Sequence, residues 1–274
     1  YAYADGHSPV YIKITSELDS SSGKKYGLGS SAALSVAFLT ALLKFSNQHE
    51  RIDDQLTIFK LASIAHFRAQ GNGSCADIAA STYGGWLNYR TFDSVWLMEK
   101  LNQGCSVKTI VEADWPGLKI IPLKQPDQLH FLVGWTQETA RTAPMVAKVH
   151  RLKSKQPNLY QQFLQTSQMA VEQMIAGFQS GDSDSLIAGI KANRSALRLL
   201  GIEADVPIET QKLSELIDLA SPFGGAKTSG AGGGDCGIAF IKLVDEIDQV
   251  YQLWEEAGIE PLMVTASLVG VEIT

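Results

Sequence analysis

Seven glycines fall within fourteen residues, at Gly224, Gly225, Gly230, Gly232, Gly233, Gly234 and Gly237. Glycine loses more conformational freedom on folding than any other residue, so this density needs a compensating cause. A flexible linker is one reading. Against it, the segment is flanked by apolar, strand-like sequence and carries one lysine, Lys227, beside two hydroxyls, Thr228 and Ser229. A loop held close to a bound phosphorylated ligand accounts for all of these features.

A second glycine segment, Lys25–Tyr26–Gly27–Leu28–Gly29–Ser30–Ser31–Ala32–Ala33, opens an Ala/Leu-rich helix expected over Ser31–Phe45. Glycines let a ligand approach the backbone, and a helix start offers free N–H groups and a positive dipole end. Together they make an anion site suited to phosphate. Ser30, Ser31, Lys24 and Lys25 strengthen that reading. Capping of the helix by Ser30 is the plainer alternative. Gly27-x-Gly29-x-x-Ala32 also matches the dinucleotide fingerprint. That motif should follow its strand directly and precede an acid at the end of a second strand. Here a polar loop intervenes, and Glu50, Asp53 and Asp54 fall between two expected helices. A Walker GxxxxGK[ST] loop is absent. A third segment, Gly71–Asn72–Gly73–Ser74–Cys75–Ala76–Asp77, again feeds a helix start. Asp77 in the first turn either stabilises that helix through its dipole or serves chemistry.

Around these segments the pattern predicts a strand over Val10–Leu18, a loop over Asp19–Lys25, and a helix from Asp53 or Asp54 to about Gln70. A short helix ends at Gly84–Gly85, and strands follow at Trp86–Arg90 and Leu118–Ile121. Pro116, Pro122 and Pro126 bracket a connection, which puts a domain boundary near residue 125 and predicts domains 1–125 and 126–274. His130–Thr136 reads as a strand. Helices are expected at 157–178, 183–200 and 208–220, a strand at Ile238–Val244, a helix at 245–257 and a strand at 261–266. This order implies an α+β protein.

The 274 residues suffice for a large core without disulfide staples. The net charge of −6 argues against a general nucleic-acid binder. The three cysteines, Cys75, Cys105 and Cys236, lie far apart and suggest neither a zinc site nor a disulfide framework. That cysteine usage makes a reducing cytoplasm the expected location, and no signal peptide or membrane span is legible.

Taken together, GLGSSAA (Gly27–Ala33), GNGSCADIAASTYGG (Gly71–Gly85), FLVGWTQETA (Phe131–Ala140) and KTSGAGGGDCGIA (Lys227–Ala239) resemble the motifs of the GHMP kinase family. Within the family the wording is nearest to the branch that phosphorylates 5-phosphomevalonate. The resemblance implies a partial ribosomal-protein-S5-like N-terminal domain and a ferredoxin-like C-terminal domain, with the substrates in the cleft between them. The family's first motif, a Lys followed by Gly-Glu-Tyr, is not in the chain, so part of the N-terminal domain is expected to be missing from it.

The implied reaction takes ATP and 5-phosphomevalonate to ADP and 5-diphosphomevalonate. The resemblance implies that Lys25, Gly27, Leu28, Gly29, Ser30, Ser31 and Ala32 bind ATP, with Ser31 a ligand of Mg²⁺. Asp77 matches the family's catalytic aspartate. Lys24, Arg68, Ser74, Asp77, Thr142, Lys227, Thr228, Ser229, Gly230 and Ala231 are the implied acceptor contacts, and Arg141 is a further cationic candidate. A mevalonate kinase, another small-molecule kinase of the family, and a non-catalytic nucleotide-binding chain remain alternatives. Monomer and homodimer are both compatible with the sequence.

Overall fold

A computed structural model describes residues 11–16, 25–46, 54–71, 73–139 and 142–272. The chain forms two compact units that interleave along the sequence. One gathers Gly29–Leu123 and the segment from Ala266 onward; the other gathers Lys124–Thr265 and the segment that ends at Leu28.

The first unit contains α1 (Ser30–Phe45), α2 (Gln55–Gln70), α3 (Ala76–Tyr83), β1 (Trp86–Arg90), α4 (Ser94–Asn102), α5 (Val107–Glu112) and β2 (Lys119–Leu123). Local chemistry sets the helix ends. Asp54 caps α2 by accepting the Leu56 N–H at 3.0 Å, and Gly71 closes it in the left-handed region at φ 75°. β1 and β2 form an antiparallel ladder in which Pro122 faces Leu87. Among the described residues this ladder has two strands, so β2 is an edge strand where proline's missing N–H costs little. The core is built on Ile58, Phe59, Ile78, Leu97 and Ile110, with Phe92 packed edge-on to Trp115 at 4.5 Å. Lys60 is buried there. Its ammonium donates to the Val111 and Ala113 carbonyls at 2.9 and 2.8 Å, which ties α2 to the end of α5. Burial holds its pKa below the ordinary lysine value, against the pull of Asp114 and Asp54. The segment from Ala266 runs over the end of α3, where the Gly85 N–H donates to the Ser267 carbonyl at 2.6 Å.

The second unit contains β3 (His130–Trp135), α6 (Thr142–Lys155), α7 (Pro157–Ser180), α8 (Ser183–Ala204), α9 (Gln211–Ala220), β4 (Gly224–Thr228), β5 (Cys236–Ile241), α10 (Ile247–Glu256) and β6 (Glu260–Leu262). Its four strands form an antiparallel sheet in the order β4-β5-β3-β6. Leu216, Ile217, Val250 and Trp254 from α9 and α10 pack on Leu132, Ala226, Ala239 and Ile241 of the sheet. Gly237 permits that approach, since a Cβ there would lie 2.5 Å from Leu216. The architecture is α+β, as expected. Among the described residues no helix is long and apolar enough to cross a membrane.

Several expectations need correction. The strand over Val10–Leu18 is not formed by its described part: residues 11–16 carry no regular structure, and Tyr11, Ile12 and Ile14 are exposed. Alternating side chains make a strand only where a neighbour pairs with the backbone. The glycine-rich stretch is not all loop, because Gly224–Thr228 is strand β4. The next strand starts two residues early, at Cys236, and ends at Ile241, and the last is shortened to Glu260–Leu262. Helices α4, α5 and α6 were not anticipated. Val10, residues 17–24 including Lys24, and Asn47, Glu50, Asp53, Asn72, Ala140 and Arg141 lie outside the described residues.

Candidate active site

The GLGSSAA segment starts in the second unit and continues into the first. In the second unit, the Tyr26 ring meets Trp135 edge-on at 4.9 Å, and its carbonyl accepts the Cys236 thiol at 3.1 Å. Leu28 packs with Val133, Trp135, Cys236 and Leu262. Gly27 has φ +76°, and a Cβ built there would lie 2.6 Å from the Asp235 Cγ. The first glycine of one motif is thus fitted against the last acid of the glycine-rich segment. Gly27→Ala adds a left-handed penalty to a steric clash, and should lower unfolding free energy by about 2–3 kcal/mol in urea titration. A loss below about 0.5 kcal/mol would show that this packing is loose. Lys25 is exposed.

In the first unit, Gly29 is the residue before α1, left-handed at φ 80°, and its carbonyl accepts the Ala32 and Ala33 N–H groups at 3.0 and 3.1 Å. Among the described residues no side chain caps α1, and no acid occupies its first turn. Its leading amides therefore remain available to an external acceptor, at the positive end of the dipole. Ser30 is half-buried, Ser31 exposed and Ala32 buried. Beside this start lies the start of α3. The Asp77 Cβ is 3.7 Å from the position of a Gly29 Cβ. Asp77 is exposed, and one of its carboxylate oxygens accepts the Ile78 N–H at 2.9 Å.

The turn before Asp77 is held by residues whose part was not foreseen. The Ser74 carbonyl accepts the Tyr89 hydroxyl at 2.5 Å and the Thr91 hydroxyl at 3.0 Å, so β1 and the residue after it fix this turn. The Ser74 side chain is exposed. Cys75 is buried and left-handed at φ 56°, and burial pushes its thiol up to about 11, which keeps it neutral and unreactive. Arg68 is exposed in the last turn of α2.

In the second unit, Lys227 is half-buried on β4 and donates to the Thr228 carbonyl at 2.7 Å. Burial lowers its pKa to about 8, and among the described residues no carboxylate opposes that shift. The Thr228 hydroxyl is buried and has no hydrogen-bond partner among the described residues. Ser229 donates its N–H to the Cys236 carbonyl at 2.9 Å, while Gly230, at φ 55°, and Ala231 are exposed. Among the described residues no carboxylate pairs with the Lys227 ammonium, so an incoming anion would find it with only a carbonyl partner. Thr142 begins α6, and its side chain lies outside the description, as does Lys24. Among the described residues no group of three His, Cys, Asp or Glu could hold a metal. An exposed Ser31 hydroxyl fits a Mg²⁺ that arrives on phosphates and keeps most of its other ligands.

The family model for the GHMP kinases N terminal domain matches residues 1–85, and that for GHMP kinases C terminal matches residues 174–260. A phosphomevalonate kinase of Streptomyces sp. (strain CL190) is 38% identical, with 91% of this chain and 66% of that protein covered. The ERG8 phosphomevalonate kinase of Gibberella zeae is 30% identical, with 86% and 57% covered. The chain thus spans less than two thirds of the length of these curated relatives. Among solved structures, the Lin0012 protein from Listeria innocua superposes with a TM-score of 0.87 at 41% identity, over 92% of this chain and 70% of that one. The Streptococcus pneumoniae phosphomevalonate kinase in complex with phosphomevalonate and AMPPNP superposes with a TM-score of 0.79 at 30% identity, over 92% and 72%. With both domains matched in order and a solved relative followed along most of its length, the chain belongs to the GHMP kinase family.

Proposed function

We propose that the protein transfers the γ-phosphoryl group of ATP to the phosphate of 5-phosphomevalonate, giving ADP and 5-diphosphomevalonate. The observation that carries this reading is the pairing of Gly29 with Asp77, which sets a carboxylate beside the uncapped start of α1. Likeness to phosphomevalonate kinases of bacteria and a fungus supports the acceptor. In the step, an acceptor phosphate oxygen bonds to the γ-phosphorus while its bond to the bridging β-γ oxygen breaks and ADP leaves with the electron pair. Such transfer is catalysed mainly by positioning and by neutralising charge.

On this reading Lys25 and the backbone of Gly27–Ala32 bind the ATP phosphates, with the α1 dipole favouring their charge. Ser31 would hold a nucleotide-borne Mg²⁺, which supplies charge neutralisation. Asp77 orients the acceptor. Ser74, Lys227, Thr228, Ser229 and the Gly230 and Ala231 amides bind it, with Lys24, Arg68 and Thr142 as further contacts. The free state of Cys75, Cys105 and Cys236 supports a reducing, cytoplasmic location.

The test is ADP release by the full-length natural protein with Mg²⁺–ATP, comparing 5-phosphomevalonate with mevalonate. Turnover with the phosphorylated acceptor alone supports the proposal. Turnover with mevalonate alone reassigns the substrate, and no turnover with either removes the reading.

A further inference from the structure

We infer that the half-buried ion pair between Arg194 and Glu209 is a positioning device that shapes the glycine loop 229–235. This rests on the reading above in that the loop carries acceptor contacts. All the residues concerned lie within the second unit. Arg194, on α8, grips Glu209 with two hydrogen bonds, Nε to Oε2 at 3.0 Å and a terminal nitrogen to Oε1 at 2.7 Å. The Glu209 side chain is only 6% exposed. The same guanidinium reaches Asp218 at 2.7 Å, and Arg198 stands 3.7 Å from Glu209.

Both neighbours of Glu209 in sequence hold the loop. The Ile208 carbonyl accepts the Gly233 N–H at 2.9 Å. That carbonyl would lie 2.0 Å from a Cβ at Gly232, so the loop rests on it with no space for a side chain. On the other side, the Thr210 hydroxyl donates to the Glu138 carboxylate at 2.9 Å, and the Glu138 carbonyl accepts the Asp235 N–H at 2.7 Å. The Asp235 carbonyl in turn receives the Thr136 N–H at 2.8 Å. Glu209 is therefore the fixed point between two contacts, one to the middle of the loop and one to its end. A buried ion pair costs desolvation that a pair of apolar residues would avoid, and retention for geometric definition is its best-attested use. The arginine fork adds direction that a point charge lacks.

A merely structural role predicts something different. Arg194 also bonds Asp218 on α9; a pair that served only to join α8 to α9 would on its loss loosen the whole unit evenly. Hydrogen–deuterium exchange on the unliganded protein separates the two. In Glu209→Gln, which keeps size and polarity, the Gly233 and Asp235 amides should exchange about 10-fold faster, while the amides of the β3–β5 ladder change by less than about 2-fold. The KM for 5-phosphomevalonate should rise by a similar factor, with kcat much less affected. Equal acceleration of loop and ladder, or none in the loop, overturns the inference. Glu138→Ala cuts only the Thr210 link and should speed exchange at Asp235 but not at Gly233. If Glu209→Gln fails to fold, Arg194→Lys, which keeps the charge but loses the fork, decides: unchanged Gly233 and Asp235 amides overturn the inference. Because exchange is read without ligand, a wild-type protein inactive toward 5-phosphomevalonate sinks the functional reading alone.

Discussion

Asp77→Asn should lower kcat/KM for 5-phosphomevalonate by about 100-fold while leaving the fold and the shape of the pH–rate profile unchanged. The size follows from the role. A hydroxyl acceptor must lose a proton, and a general base then contributes about 10²–10⁴-fold. A phosphate monoester, with a second pKa of about 6, is already mostly dianionic at neutral pH. That leaves orientation, where a displacement of about 1 Å costs about 100-fold. Folding should survive because Asp77 is exposed and its share in α3 is a first-turn charge worth about 0.3–1 kcal/mol. Steady-state kinetics from pH 5 to 9 with a thermal melt checks each part. A limb present in the wild-type profile and missing from the variant would make Asp77 a base instead.

The parts of this site legible in sequence are those set by neighbours along the chain. Gly29 before α1, Asp54 and Gly71 around α2, and Gly84 after α3 all act within a turn of themselves, so residue type and spacing reveal them. Asp93 carries the same kind of signal for α4, accepting the Val95 and Trp96 N–H groups.

Strand β4 was hidden for another reason. Gly-Gly-Ala-Lys-Thr has little intrinsic strand preference, and its glycines serve close approach instead: a Cβ at Gly224 would lie 1.9 Å from the Phe240 carbonyl oxygen, and one at Gly225 3.2 Å from that of Ile187. Packing by distant elements decides that segment, which is how tertiary context overrides propensity. The contacts that hold the turn before Asp77 and the glycine loop share this character. Tyr89 and Thr91 reach the Ser74 carbonyl from 15 and 17 residues away, and Arg194 meets Glu209 across a loop. None of these pairs has a sequence signature, since one partner is a backbone atom or the spacing is arbitrary.

Lys227→Met should move stability and ligand affinity in opposite directions. An unfolded lysine titrates near 10.5, while burial brings the folded one down to about 8. Between those values the unfolded chain holds a proton that the folded protein has released, so wild-type stability should rise as pH climbs from about 8 to 10.5. Below 8 the folded protein carries the buried charge at a cost, and the Thr228 carbonyl offsets only part of it. Methionine removes that cost. At pH 7 the variant should gain on the order of 1–2 kcal/mol, and its stability should lose the rise between pH 8 and 10.5. Binding runs the other way. A dianionic phosphate near the ammonium favours its charged form, so wild-type affinity for 5-phosphomevalonate should fall above pH 8, with proton uptake on binding. The variant should bind about 100-fold more weakly at pH 7 and show no such uptake, since a charge-assisted hydrogen bond is lost. Urea titration across pH and calorimetry in two buffers of different ionisation enthalpy read both effects. A solvated lysine would give neither, because without desolvation there is no cost to relieve, and a charge remote from the acceptor leaves its affinity unmoved.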